Sequence, residues 1–145
     1  MKTVLCHGVF DLLHVGHVWT LRWASGLGAR LVVTVTPDGQ IVRRKGRKPV
    51  YPLAARMELL DALEFVDLVV PARGATALWS LATFKPAVWV RGSDWRGRVT
   101  RASVLEEGLA AKLGTAVKFA PRWHPDYRSS DAMRAVLAWN NFLEE

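Results

Sequence analysis

A parallel α/β sheet with helices on both faces is the fold this sequence predicts, and three observations predict it. Short β-branched runs alternate along the chain with longer segments of helical spacing. Leu31-Val-Val-Thr-Val-Thr36 is unbroken rather than alternating, as a strand buried on both faces must be. The runs follow one another as strand, helix, strand, helix throughout, and parallel strands need such helical crossovers.

Each element has its own signal. Lys2–Cys6 reads as the first strand and Val15–Leu27 as the helix after it. Leu31–Thr36 is the second strand, and Thr36-Pro-Asp-Gly39 reads as a turn that ends it. Pro52–Leu63 reads as a helix with proline at its first position and Leu53, Met57 and Leu60 on one face. Asp67–Val70 is a third strand closed by Pro71, and Ala75–Thr83 is helical. Ala87–Arg91 is the fourth strand. Ala102–Leu113 is a helix that places Leu105, Leu109 and Leu113 on one face and closes at Gly114. Thr115–Phe119 is the fifth strand, and Ser130–Leu143 a final helix.

With 145 residues, half of them hydrophobic, the chain is expected to form one domain over residues 1–145. No apolar run approaches the roughly 20 residues that span a bilayer, and the first residues lack a signal-peptide pattern. A membrane partner is therefore not expected. The single cysteine, Cys6, forms no internal disulfide and fits a reducing, cytoplasmic compartment, where it reads as a small core residue. The net charge is +7, much of it in Arg43-Arg-Lys-Gly-Arg-Lys48. Such a balance suits nucleic acid, a small polyanionic substrate or merely a solvated basic loop.

The chemistry concentrates in Gly8-Val-Phe-Asp-Leu-Leu-His-Val-Gly-His17. A strand, a glycine-containing turn and a helix start form an anion site, because free N–H groups and the helix dipole favour negative charge. His14 and His17 are separated by about 300° of helical rotation, so both can face one site. They can donate hydrogen bonds to phosphate oxygens as charge builds in an in-line displacement. Gly16 leaves room for a phosphate. Asp11 orients the loop or holds a group in the site. Zinc on the two histidines is the competing reading, but no further ligand set accompanies them, so no metal-ligating residues are assigned. A purely structural role for both rings is the other.

The motif Gly-x-Phe-Asp-x-x-His-x-Gly-His resembles the signature of the cytidylyltransferase-like nucleotidyltransferases. These join a nucleoside monophosphate to a phosphorylated acceptor and release pyrophosphate. Residues 45–70, with Arg47-Lys-Pro-Val50 and Ala62-Leu-Glu-Phe-Val-Asp-Leu-Val-Val70, are similar to the heptose-1-phosphate adenylyltransferase branch. Lys85-Pro-Ala-Val-Trp-Val-Arg-Gly-Ser-Asp-Trp95 is similar to that branch and to the glycerol-3-phosphate cytidylyltransferases. The resemblance implies a Rossmann-like sheet. It implies that His14 and His17 act at the α-phosphate and that Lys45 and Arg47 neutralise phosphate. Gly8, Val9, Phe10 and Gly16 would lie against the nucleotide, and Gly92 and Asp94 beside the base and ribose. Arg122, Ser129 and Ser130 would match the late segment that grips the β- and γ-phosphates. Mg2+ as cofactor and a homodimer are likewise implied.

Departures from the pattern bear on the acceptor. Asp131 stands where the family has a hydroxyl residue, and the loop Trp123–Arg128 is longer and more aromatic. Arg73-Gly-Ala-Thr-Ala77 replaces the tryptophan and lysine with which glycerol-phosphate enzymes hold the acceptor. Trp95 and Asp11 are the remaining acceptor candidates. Of the seven tryptophans, Trp19 and Trp23 form a stripe with Val15 that reads as packing. Arg56 and Asp67 read as internal polar framework. The expected activity is transfer from ATP or CTP to a phosphorylated sugar or polyol, with a sugar-1-phosphate adenylyltransferase first. A cytidylyltransferase on a polyol or amino-alcohol phosphate comes second. A binding module without catalysis is the alternative of another class, and nucleic acid is disfavoured as a partner.

Overall fold

The computed structural model describes residues 1–122 together with 134, 135 and 138. The strands are β1 (Thr3–Gly8), β2 (Arg30–Val35), β3 (Leu68–Pro71), β4 (Val88–Arg91) and β5 (Ala116–Phe119). All pair in parallel, in the order β3-β2-β1-β4-β5. The helices are α1 (Val15–Ser25), α2 (Asp38–Lys45), α3 (Leu53–Asp61), α4 (Leu78–Phe84) and α5 (Arg101–Leu113). The predicted Rossmann-like fold, a five-stranded parallel sheet, is the fold observed.

Alternation of side chains along each strand divides the core in two. Val4, Cys6, Val33, Val35, Val88 and Val90 point to the face covered by Leu21 of α1 and Leu60 of α3. Leu5, Val32 and Trp89 point to the other, against Leu81 of α4 and Ala110 of α5. Cys6 lies in the first layer, and burial pushes its thiol up to about 12, so it is an inert core residue at neutral pH. The chain runs outward from β1 through β2 to β3, then returns to the other side of β1 with β4. The switch point therefore lies between the carboxyl ends of β1 and β4, where such sheets bind ligands.

Four expectations are corrected. Residues 36–39 do not form a terminating turn and the basic run is not wholly loop, because α2 begins at Asp38. Pro37 caps it with a proline φ of −63°, Asp38 and the cations Arg43, Arg44 and Lys45 complement its two ends, and Ile41 is buried. Pro52 is the cap of α3 rather than its first residue. Helix α4 starts at Leu78, not Ala75, since Glu106 takes the Ala77 N–H and leaves Ala75 and Thr76 in the loop. In α5 the buried stripe is Ser103, Glu106 and Ala110, whereas Leu105 is 56% exposed. Polar residues win that face because two of them cap helices, Glu106 at α4 and Ser103 in the capping box with Thr100. The proposed final helix lies outside the described residues apart from 134, 135 and 138, which are helical.

Arg56 of α3 is fully buried. Its guanidinium donates to the carbonyls of Tyr51 (3.0 Å), Val9 (2.7 Å) and Thr36 (2.9 Å) and pairs with the Asp38 carboxylate at 2.6 Å. No other side chain offers donors in this fork. Arg56→Met is expected to lower the unfolding free energy by about 3–5 kcal/mol, because it strands buried acceptors. Denaturant titration followed by circular dichroism checks this. A loss below about 1 kcal/mol would show that water replaces the guanidinium without penalty.

Candidate active site

The β1–α1 connection builds the site. Its backbone turns sharply, with Phe10 at φ 52° and Leu12 at φ 51°, both in the left-handed region that side chains disfavour. The Phe10 ring folds back over Gly8, where an added Cβ would stand 3.1 Å from it. Asp11 holds the loop by accepting the N–H groups of Val50 (2.8 Å) and Tyr51 (2.9 Å). Of the two roles expected for Asp11, orientation is the observed one.

His14 is the cap of α1, and its Nδ1 accepts the Gly16 N–H at 3.0 Å. His17 returns the contact, its Nδ1 accepting the His14 N–H at 3.3 Å. An Nδ1 that accepts carries no proton, so each ring presents its proton at Nε2 as a neutral donor. The rings stack with centroids 3.9 Å apart, and Phe10 meets His17 edge-on at 5.6 Å. Burial lowers both pKa values. His17 falls to about 4, with the neighbouring His14 adding to the effect. Gly16 differs from expectation: a Cβ there would lie 2.8 Å from His14 Cε1, so the room it leaves is occupied by the His14 ring.

A cleft of about 500 Å³ opens at the switch point. Gly8, Val9, Phe10, Asp11, His17, Lys45, Arg47, Gly92, Asp94 and Trp95, all predicted site residues, line it. Arg122 is exposed and does not line this cleft. Ser129, Ser130 and Asp131 lie outside the described residues, as do residues 123–128. Trp19 is tied to the Pro121 carbonyl at 3.1 Å and Trp23 packs on the core, in keeping with the packing reading.

Sequence reasoning missed His7, Arg44, Arg91 and Glu106, which also line the cleft. His7 had a signal: it stands two residues after Leu5 and so shares its sheet face. Ser80 Oγ donates to Thr34 Oγ1 at 2.8 Å, which leaves the Thr34 hydroxyl proton for His7 Nδ1 at 3.0 Å. The Ala75 carbonyl, which accepts from Arg44 at 3.2 Å, lies against His7 and favours its charged form. Burial, then the charges of Arg44 and Arg91, push His7 down to about 4 against the opposing pull of that carbonyl.

The cytidylyltransferase-like family model matches residues 5–131. This chain belongs to the cytidylyltransferase-like family. Among curated relatives it is 41% identical over 136 residues to the bifunctional protein HldE of Streptomyces coelicolor, covering 93% of this chain and 28% of that protein. It is 47% identical over 96 residues to the bifunctional protein HldE of Sodalis glossinidius, covering 66% and 20%. The chain thus spans less than a third of the length of either. Among solved structures it resembles the lipopolysaccharide core biosynthesis protein from Thermoplasma volcanium, with TM-score 0.72, 27% identity and coverage of 86% and 99%. It shares its fold with pantoate–beta-alanine ligase from Francisella tularensis (TM-score 0.60, 14% identity, coverage 92% and 69%).

For this family member the buried neutral rings make stability depend on pH. Below the ordinary histidine value of 6.5 the unfolded chain binds protons that folded His7 and His17 refuse until about 4. Stability is therefore full above that window and is lost as pH falls through it, by up to about 3 kcal/mol for each ring. Thermal melts between those limits should show a falling midpoint, and His7→Asn and His17→Asn should each flatten the slope.

Proposed function

We propose that this chain transfers a nucleoside monophosphate from an NTP to the phosphate of a phosphorylated sugar, releasing pyrophosphate, as a sugar-1-phosphate adenylyltransferase. The observation that carries this is the stacked His14–His17 pair, two neutral Nε2–H donors at the positive end of α1 beside a cleft holding Lys45 and Arg47. The HldE relatives and the resemblance of residues 45–70 to heptose-1-phosphate adenylyltransferases support the acceptor class.

In the reaction an oxygen of the acceptor phosphate attacks the α-phosphorus while the bond to the bridging oxygen of pyrophosphate breaks. A phosphate is already largely ionised at neutral pH, so the nucleophile needs no base. The imidazoles stabilise charge gathering on the α-phosphate, and Lys45 and Arg47 take up the charge of the departing pyrophosphate. Gly92 and Asp94 would contact the base and ribose, and the family resemblance of the late segment would give Arg122, Ser129 and Ser130 to the β- and γ-phosphates. Among the described residues no three His, Cys, Asp or Glu side chains cluster to cage a metal. Mg2+ is the cofactor of this proposal and would supply charge neutralisation for the triphosphate. A cytoplasmic homodimer completes the reading, and no helix among the described residues is long and apolar enough to cross a membrane.

Pyrophosphate release over four NTPs crossed with phosphorylated sugars and polyols tests the activity and separates ATP from CTP. Release with none of them would overturn it. His17→Ala should lower kcat by about 10²–10³ while the NTP Kd stays within about threefold, because the ring acts mainly on the transition state. Weakened binding with unchanged turnover would remove that role. Lys45→Ala with Arg47→Ala should lower kcat/KM with the fold intact. Full activity in the double variant would reduce the pair to a solvated surface.

A further inference from the structure

The cleft has a second half that the nucleotide reading leaves unused. Along β1 and β4 the side chains of His7 and Arg91 fall on the same sheet face as Leu5 and Trp89, the face covered by α4 and α5. Ala75 and Thr76 bound this half with small side chains, and Arg44 enters it from α2. Its distinctive feature is a charged pair that does not close. Glu106 is 5% exposed, and its Oε2 accepts the Ala77 N–H at 2.8 Å. Its Oε1 faces Arg91 Nη2 at 3.9 Å, beyond hydrogen-bond reach.

Buried carboxylate and guanidinium groups ordinarily meet directly at about 2.7–2.9 Å. Here other contacts hold them apart. The Arg91 guanidinium lies 4.6 Å from the Trp89 ring centre and 4.3 Å from that of Trp95, and it pairs with Glu107 at 3.4 Å. Glu106 is held from the other side by the start of α4. An oxygen about 2.8 Å from both groups fits this separation. It would accept from the guanidinium and donate to the carboxylate, and an alcohol does both at one atom. A phosphate oxygen has no proton to donate, and an ammonium has no lone pair to offer Arg91. The cleft also disfavours a cationic acceptor, since five Lys and Arg side chains line it against three Asp and Glu.

We propose that Glu106 and Arg91 form a hydroxyl clamp that selects a polyhydroxylated acceptor, with Arg44 on the acceptor's phosphate. The clamp rests on the nucleotidyl-transfer reading and names its acceptor specificity. His7, its Nδ1 tied to the Thr34 hydroxyl at 3.0 Å, is the floor of this half. Glu106 and Arg91 are specificity residues here, not participants in phosphoryl transfer.

The test is calorimetric binding of hexose and heptose 1-phosphates and their monodeoxy analogues to the full chain, in the presence of a non-hydrolysable NTP analogue. In the unaltered protein one deoxy analogue should bind at least about 10-fold more weakly than its parent. Glu106→Gln keeps an oxygen for the Ala77 N–H but replaces the hydroxyl acceptor with an amide donor. It should weaken the parent sugar phosphate by about 10-fold or more, erase the difference from that deoxy analogue, and leave the affinity for the NTP analogue unchanged. Equal binding of every deoxy analogue by the unaltered protein overturns the clamp without recourse to any variant. So does a folded Glu106→Gln that retains the discrimination, or binding of no sugar phosphate at all. Nucleotidyl transfer without hydroxyl dependence removes the clamp and spares the reaction. Hydroxyl-dependent binding without transfer does the reverse.

Discussion

The site depends on one buried cation. Arg56 reaches from α3 to the carbonyls of Val9 in the β1–α1 loop, Thr36 after β2 and Tyr51 before its own helix, and to the carboxylate at the start of α2. The β1–α1 loop, the β2–α2 junction and the segment before α3 are thereby fixed to one rigid fork. Taking a guanidinium out of water costs several kcal/mol, and only near-complete hydrogen bonding offsets it. The consequence is positional. The loop that carries Phe10 and Leu12 in the left-handed region cannot relax to a commoner turn without breaking the Val9 contact. Strain of about 1–3 kcal/mol per residue is tolerated because the surrounding bonds over-determine the loop.

The sheet was legible because its evidence is local. Short continuous apolar runs identify β1, β2 and β4 whatever packs on them, and the strand–helix alternation leaves a parallel order as the natural arrangement. The pair of histidines was legible for the same reason, since three residues of separation across a helix start is a short-range fact. What escaped was decided at long range. Helix α2 looks like a turn because Pro37, Asp38 and Gly39 are turn formers, yet burial of Ile41 and the Arg56–Asp38 pair favour the helix. Glu106 looks like one more exposed charge on α5. Only the fold shows that it caps α4, 29 residues earlier in the chain. The Gly16 reading found the need for space but not its occupant, since a ring two residues back fills it.

The two halves of the cleft are tuned differently. At the start of α1 the backbone fixes the proton positions of His14 and His17, so both rings are neutral donors, with His17, Lys45 and Arg47 lining the cleft. Around Glu106 and Arg91 the groups are of opposite charge and held 3.9 Å apart. Proton position sets the first, and distance sets the second.

The aromatic wall behind Arg91 has an optical consequence. Trp89 is 2% exposed and Trp95 partly covered, and both indoles lie against the same guanidinium at the cleft. Arg98 stacks on Trp95 as well, at 4.5 Å. A cation held against an indole perturbs its emission, and any ligand that shifts Arg91 by a fraction of an ångström alters two such contacts together. The chain thus carries its own reporter of occupancy, lodged in the wall that the acceptor would touch.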